Sequence, residues 1–255
     1  MNAKEIGESL TRAARLPGKA VSVFASDDVR RSSVEVSKID RCLARSVFKI
    51  SMEAEAPSAY FGVDARAGIC PGGQGWCGMA DASPMIKYFI STGRPDYRNG
   101  AAEYLKPSPE AAERLFSAPG RIALPSKYLN LARCDRIEDD QEVLSFILIG
   151  GAESIRNLGG LIQFVSDDIF GSILMPGGPD CASMITYAAG LAERAPRRAA
   201  FVGPVDPTGN AWMPPDMMTL ALPFETARAM AENVGSSFLA KRPDVAFPGR
   251  GPVPG

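Results

Sequence analysis

The stretch Glu142-Val143-Leu144-Ser145-Phe146-Ile147-Leu148-Ile149-Gly150-Gly151 sets the fold class of this chain. Its apolar run is strand-sized and nearly continuous, the pattern of a strand buried on both faces. A helix is predicted directly after it, from about Ala152, with Ile155, Leu158, Leu161, Ile162 and Val165 on one face. Downstream the pattern alternates: a strand near Ser172 to Met175, a helix starting near Cys181, and strands at Ala199 to Val202 and Met218 to Leu222. Pro223 then stands as the first residue of a final helix carrying Phe224, Ala227, Met230, Val234 and Phe238. Upstream, helices are predicted over Ala3 to Leu16, stopping before Pro17-Gly18, and over Val36 to Ile50. Strands are predicted at Val21 to Ala25 and Tyr60 to Val63. Strands alternating with helices imply an α/β or α+β protein, a mixed central sheet with flanking helices.

The 255 residues read as a single domain. A segment at about 83–125, holding Pro84, Pro95, Pro107, Pro109 and Pro119, is too rich in proline for one long element and reads as an insertion or cover. The proline- and glycine-rich tail from about residue 242 is expected to be flexible.

With 28 basic and 29 acidic side chains, the formal charge of −1 offers no field for a phosphate backbone, so nucleic acid is not an expected partner. No run approaches the roughly 18 apolar residues of a membrane helix, and no membrane association is expected. The start, Met1 to Glu8, has acidic residues where a signal peptide carries a basic flank. A cytoplasmic location is therefore expected, where the five cysteines are free thiols or metal ligands rather than disulfides.

The chain contains no histidine. Ser–His–Asp triads, Cys–His dyads and imidazole metal ligands are thereby excluded, and soft-ligand chemistry falls to thiolates. Two thiols share the glycine-rich stretch Cys70-Pro71-Gly72-Gly73-Gln74-Gly75-Trp76-Cys77-Gly78. Glycines let backbone N–H groups turn toward an anion. Cys181 follows Pro176-Gly177-Gly178-Pro179-Asp180 and is placed in the first turn of a helix, where free N–H groups favour a thiolate. Cys42 lies beside the apolar stripe of the Val36 to Ile50 helix, with Arg41 and Arg45 near enough to support a thiolate; a solvated basic face explains them equally well. Cys77, between Trp76 and Gly78, is read either as a ligand or as a small hydrophobic anchor. Cys134, flanked by Arg133 and Asp135, is assigned no role. No P-loop lysine follows Gly72-Gly73-Gln74-Gly75, and no Gly-x-Ser-x-Gly elbow occurs.

The sequence resembles an uncharacterised prokaryotic family, domain-of-unknown-function family one-six-nine, from about Leu16 to about Leu239. The resemblance rests on Arg41-Cys42, on Cys70-Pro71-Gly72-Gly73 through Gly78, on Phe146 to Ala152, and on Cys181 ahead of Leu220-Ala221-Leu222-Pro223. It implies that Cys42, Cys70 and Cys181 occupy the family's cysteine positions, while Cys77 stands where an aliphatic residue is expected. The family pattern also has acidic residues and an arginine before the last strand; here Asn210 to Asp216 offers only Asp216.

The leading expectation is a metal centre held by Cys42, Cys70 and Cys181, with Cys77 as a candidate fourth ligand. An iron–sulfur cluster, of the 4Fe-4S type, suits thiolates from separate segments, with Gly72, Gly73 and Gly178 supplying N–H groups to its sulfurs. A redox protein or a small molecule would be its partner. Structural zinc and a metal-free enzyme with Cys181 or Cys70 as nucleophile are the alternatives, together with a binding module whose cysteines simply pack. The cluster requires these three thiols, far apart in sequence, to meet at one site.

Overall fold

The computed structural model describes residues 1–117, 126–138, 142–191, 199–206, 213–242 and 244. The end of the proline-rich segment at 118–125, residues 210–212 of the stretch before the last strand, and the tail beyond 244 lie outside the described residues.

The Val143 run is the centre of an eight-stranded mixed sheet. The strands are β1 (Val21–Ser26), β2 (Ser33–Glu35), β3 (Ser58–Gly62), β4 (Tyr128–Arg133), β5 (Val143–Gly151), β6 (Ile173–Leu174), β7 (Ala200–Gly203) and β8 (Met217–Pro223). Their spatial order is β2-β3-β4-β1-β5-β8-β7-β6. The two outermost pairs, β2–β3 and β6–β7, are parallel and the five inner pairings antiparallel. β5 pairs with β1 on one side, Val21 opposite Ile147, and with β8 on the other, Leu148 opposite Leu220.

Alternation along the strands then sorts side chains onto two faces. Phe146 and Leu148 join one apolar core with Ile6, Leu10, Leu158, Leu161, Leu220, Leu222 and Met230. Ile147 and Ile149 join the other, with Val21, Val23, Leu43, Val47, Met184, Ile185 and Phe201. The first core is covered by α1 (Ala3–Ala13), α6 (Ala152–Val165) and α8 (Phe224–Asn233). The second is covered by α2 (Leu43–Met52), by the short α3 (Pro71–Trp76), and by a π-helical turn, Ala182–Thr186, that runs into α7 (Tyr187–Leu191). Between these lie α4 (Ile86–Phe89) and α5 (Pro109–Ser117), from the proline-rich segment. No described helix is long and apolar enough to cross a membrane.

Pro223, expected as the first residue of the last helix, instead closes β8 and caps α8, and Val234 and Phe238, expected on that helix, lie in separate 3₁₀ turns beyond it. Three further local predictions are revised, each at a cysteine. The helix expected over Val36 to Ile50 is two pieces, a 3₁₀ turn at Val36–Lys38 and then α2. The Asp40 carboxylate interrupts it by accepting the Cys42 amide at 3.0 Å while pairing with Lys49 at 3.0 Å, and Cys42 becomes the N-cap of α2. The glycine-rich loop is helical: Pro71 opens α3, Cys70 caps it, and Cys77 ends it ahead of Gly78 at φ 73°. Cys181 opens a π turn rather than an ordinary α-helix.

Candidate thiol cavity

Cys42, Cys70 and Cys181 line one cavity of about 550 Å³ on the α2–α3 face of the sheet. Backbone contacts bring their segments together. The Cys70 amide donates to the Arg41 carbonyl at 2.9 Å, which sets the cap of α3 against the cap of α2. Gly73 packs so tightly that a Cβ there would stand 3.2 Å from Leu43 Cδ1, so the first turns of the two helices touch. Gly178 adopts φ 131°, a conformation few residues other than glycine tolerate, and a side chain there would meet the Tyr187 hydroxyl at 3.0 Å. Tyr187 in turn donates to the Gly177 carbonyl at 3.2 Å, holding the loop before Cys181 against the cavity.

Amides are directed at the sulfurs. Gly73 N–H donates to Cys70 Sγ at 3.3 Å, with Gly72 N–H adding to it. The Arg45 and Ala44 amides, in the first turn of α2, pull the Cys42 thiol down, although its side chain makes no capping hydrogen bond to that helix. Gly72 also lines the cavity, and a Cβ there would find open space. The arginine support expected for Cys42 goes elsewhere: Arg45 pairs with Asp40 at 3.4 Å, and the charge of Arg41 acts on Cys70.

Burial outweighs these amides. Desolvation first, then the neighbouring Cys70 and Cys181, push the Cys42 thiol up to about 11. Desolvation also raises Cys70. Cys181, expected to favour a thiolate, is raised well above the usual thiol range, first by its hydrogen bond to Cys77 and then by burial. At neutral pH these three thiols therefore keep their protons until something positive displaces them. Cys77 is completely buried behind Cys181, in the core under the cavity. Cys134 is equally buried but on the opposite side of the sheet, with Ile6, Leu10 and Phe146. Among the described residues no three Cys, Asp or Glu side chains close on a single point as ligands of one metal ion.

The proline-rich segment forms the opposite wall, with Ile86, Phe89, Ile90, Leu105, Leu115 and Phe116 apolar and Arg98, Glu103 and Lys106 polar. Trp76 joins them, its ring 5.5 Å from that of Phe116.

The residue that sequence reasoning passed over is Asp180. It is only 4% exposed and lines the cavity. Its Oδ1 accepts the Asp206 amide at 3.1 Å, while Oδ2 has no hydrogen-bond partner. Burial pushes its carboxyl up to about 7, against the pull of the Asp206 and Val205 amides. The only hint in the sequence was an acidic residue inside an otherwise proline- and glycine-rich turn, and turns hold aspartate for local reasons far more often.

Neither curated proteins nor solved structures match the chain. A family model does, over residues 9–233, and it spans both cores, the sheet and all three cavity cysteines. The chain thus belongs to DUF169, the family described as uncharacterised ArCR.

Proposed function

We propose that this protein carries an iron–sulfur cluster in the cavity, ligated by Cys42, Cys70 and Cys181. The observation that carries the reading is convergence: three thiols from segments about α2, α3 and the π turn line one cavity, while Cys134 lies across the sheet. The donor set fits. All three ligands are sulfur, the chain has no imidazole to offer, and the Gly73 N–H already donates to one of the sulfurs. Thiols spread around a cavity suit an extended inorganic group better than one tetrahedral zinc ion, which needs its ligands about 2.3 Å from a common centre. The raised thiols speak against a metal-free nucleophile, because a catalytic cysteine needs its thiolate.

When bound, such a group supplies one-electron chemistry or an open iron as Lewis acid. The chain's own residues do the rest. Cys42, Cys70 and Cys181 give up their protons to hold it. The Gly72, Gly73, Ala44 and Arg45 amides favour the thiolates, and the wall from Ile86 to Phe116 gives the site an apolar side. Cys77 stands behind Cys181, in hydrogen-bonding range of that sulfur and off the cavity wall.

Anaerobic purification with an absorption spectrum and iron and sulfide analysis tests the proposal. A brown protein is expected to lose iron in Cys42→Ala, Cys70→Ala and Cys181→Ala, and to keep it in Cys134→Ala. A colourless protein free of iron and sulfide, still folded by circular dichroism, would refute it.

A further inference from the structure

We propose that the same cavity also binds a small hydroxy acid, an apolar organic body with a carboxylate at one end and a hydroxyl on the body. The cavity volume of about 550 Å³ is that of a small-molecule pocket. Much of its wall, Trp76, Phe89, Leu105 and Phe116 among it, is apolar and offers an inorganic group nothing to coordinate. Apolar walls with a few placed polar groups are the pattern of organic-ligand sites.

Three polar groups define the ligand. Arg98 and Lys106 line the cavity, and neither pairs with a carboxylate among the described residues; Arg98 instead lies over the Phe89 ring at 4.2 Å. Glu103 and Asp206, which also line it, are already engaged. The two cations select a carboxylate. Asp180, more than nine-tenths buried, has an oxygen without a partner, and a buried acceptor left unsatisfied invites a donor. A hydroxyl on the ligand meets that need. Backbone conformation marks the same spot: Arg98, Asn99 and Gly100 are consecutive left-handed residues at φ 52°, 54° and 77°. Such strain gathers where the chain must present a side chain in a set direction.

The proposal depends on the cavity wall and not on iron, so it is tested on metal-chelated protein as well as on anaerobically isolated protein. Binding is read by calorimetry and by fluorescence of Trp76 in a Trp212→Phe background, with 4-hydroxyphenylacetate and 6-hydroxyhexanoate as probes. At least one of these acids is expected to saturate, tenfold or more tighter than its uncharged amide and than its analogue lacking the hydroxyl. Arg98→Ala with Lys106→Ala should abolish the preference for acid over amide. Asp180→Ala should abolish the preference for the hydroxyl and leave the charge preference intact. Each variant's unfolding temperature is measured alongside, so that loss of fold is recognised. Absence of saturable binding by both acids, or preferences that survive in the folded variants, overturns the proposal. Anaerobically isolated protein that carries no iron and still shows both preferences supports it while refuting the cluster.

Discussion

Alkylation of the native, metal-free protein separates a metal centre from a thiol enzyme, and the structure sets its size. Iodoacetamide reacts with thiolates, so rate tracks the deprotonated fraction. Cys42 is shifted from the ordinary thiol value of 9.0 up to about 11. Two units lower its thiolate fraction at pH 7 by about 100-fold relative to an ordinary thiol, from about 1% to about 0.01%. Cys70 and Cys181 are displaced in the same direction, Cys181 with its proton held by Cys77 as well. Restricted access lowers the rates further. The assay is a time course at pH 7 and pH 9 with peptide mapping, glutathione serving as the reference. Cys42 is expected to react about 100-fold more slowly than an unshifted thiol at pH 7, and about 100-fold faster at pH 9 than at pH 7, since each pH unit below 11 multiplies the thiolate tenfold. Rapid modification of Cys42, Cys70 or Cys181 at pH 7 in folded protein would refute the reasoning. It would mean that helix amides and arginine outweigh burial, and the metal-free nucleophile would become the better reading.

Other consequences are open to direct measurement. Cys134 is fully buried on the far face and raised to about 11, so its neutral form is favoured by folding. With the folded value above the unfolded one, that stabilisation is complete below pH 9 and is lost as pH rises through 11. It amounts to about 2–3 kcal/mol at 1.36 kcal/mol per unit; urea titrations from pH 8 to 11 should fall more steeply in the native protein than in Cys134→Ala. Gly93 sits at φ 80° with its missing Cβ 2.4 Å from the Gly100 carbonyl oxygen. Gly93→Ala should therefore destabilise by about 1–3 kcal/mol, read as a lower unfolding temperature, and an unchanged temperature would show that the 93–100 turn is not held as described. If the cavity holds a cluster, Cys77→Ala should keep the iron content, because Cys77 lies off the cavity wall, but lower the reduction potential: once Cys181 has given up the proton it now shares with Cys77, the Cys77 thiol becomes the donor to that sulfur, and the variant removes it. Spectroelectrochemistry decides this, and loss of iron would make Cys77 a ligand.

Much of the fold was written in local pattern. The Val143 run and the helix from Ala152 appear where periodicity and turn chemistry put them, because those signals act within a few residues, while the first helix ends at Ala13, short of Leu16, and Pro223 caps the last helix from the end of β8 rather than opening it. Predictions slipped where a side chain competes with the backbone. Asp40 splits the expected helix by taking the Cys42 amide, and the glycines after Cys70, read as loop, are wound into α3 by a proline at its start and a thiol cap.

The sequence by itself determined the chemistry on offer: thiolates without imidazole, amide-rich turns beside Cys70 and Cys181, and a buried strand to organise a sheet. Only the tertiary structure decided which thiols share a site. The pleat sends Ile147 and Ile149 to one face and Phe146 and Leu148 to the other, so Cys42, Cys70 and Cys181 come to line one cavity while Cys134 goes beneath α1. It also turned Asp180 from a turn residue into a buried acceptor and set the exposed Arg98 and the half-buried Lys106 along the same cavity. Spacing along a chain carries no information about which face of a sheet a distant segment will cover, because that choice is made by packing between elements that are remote in sequence.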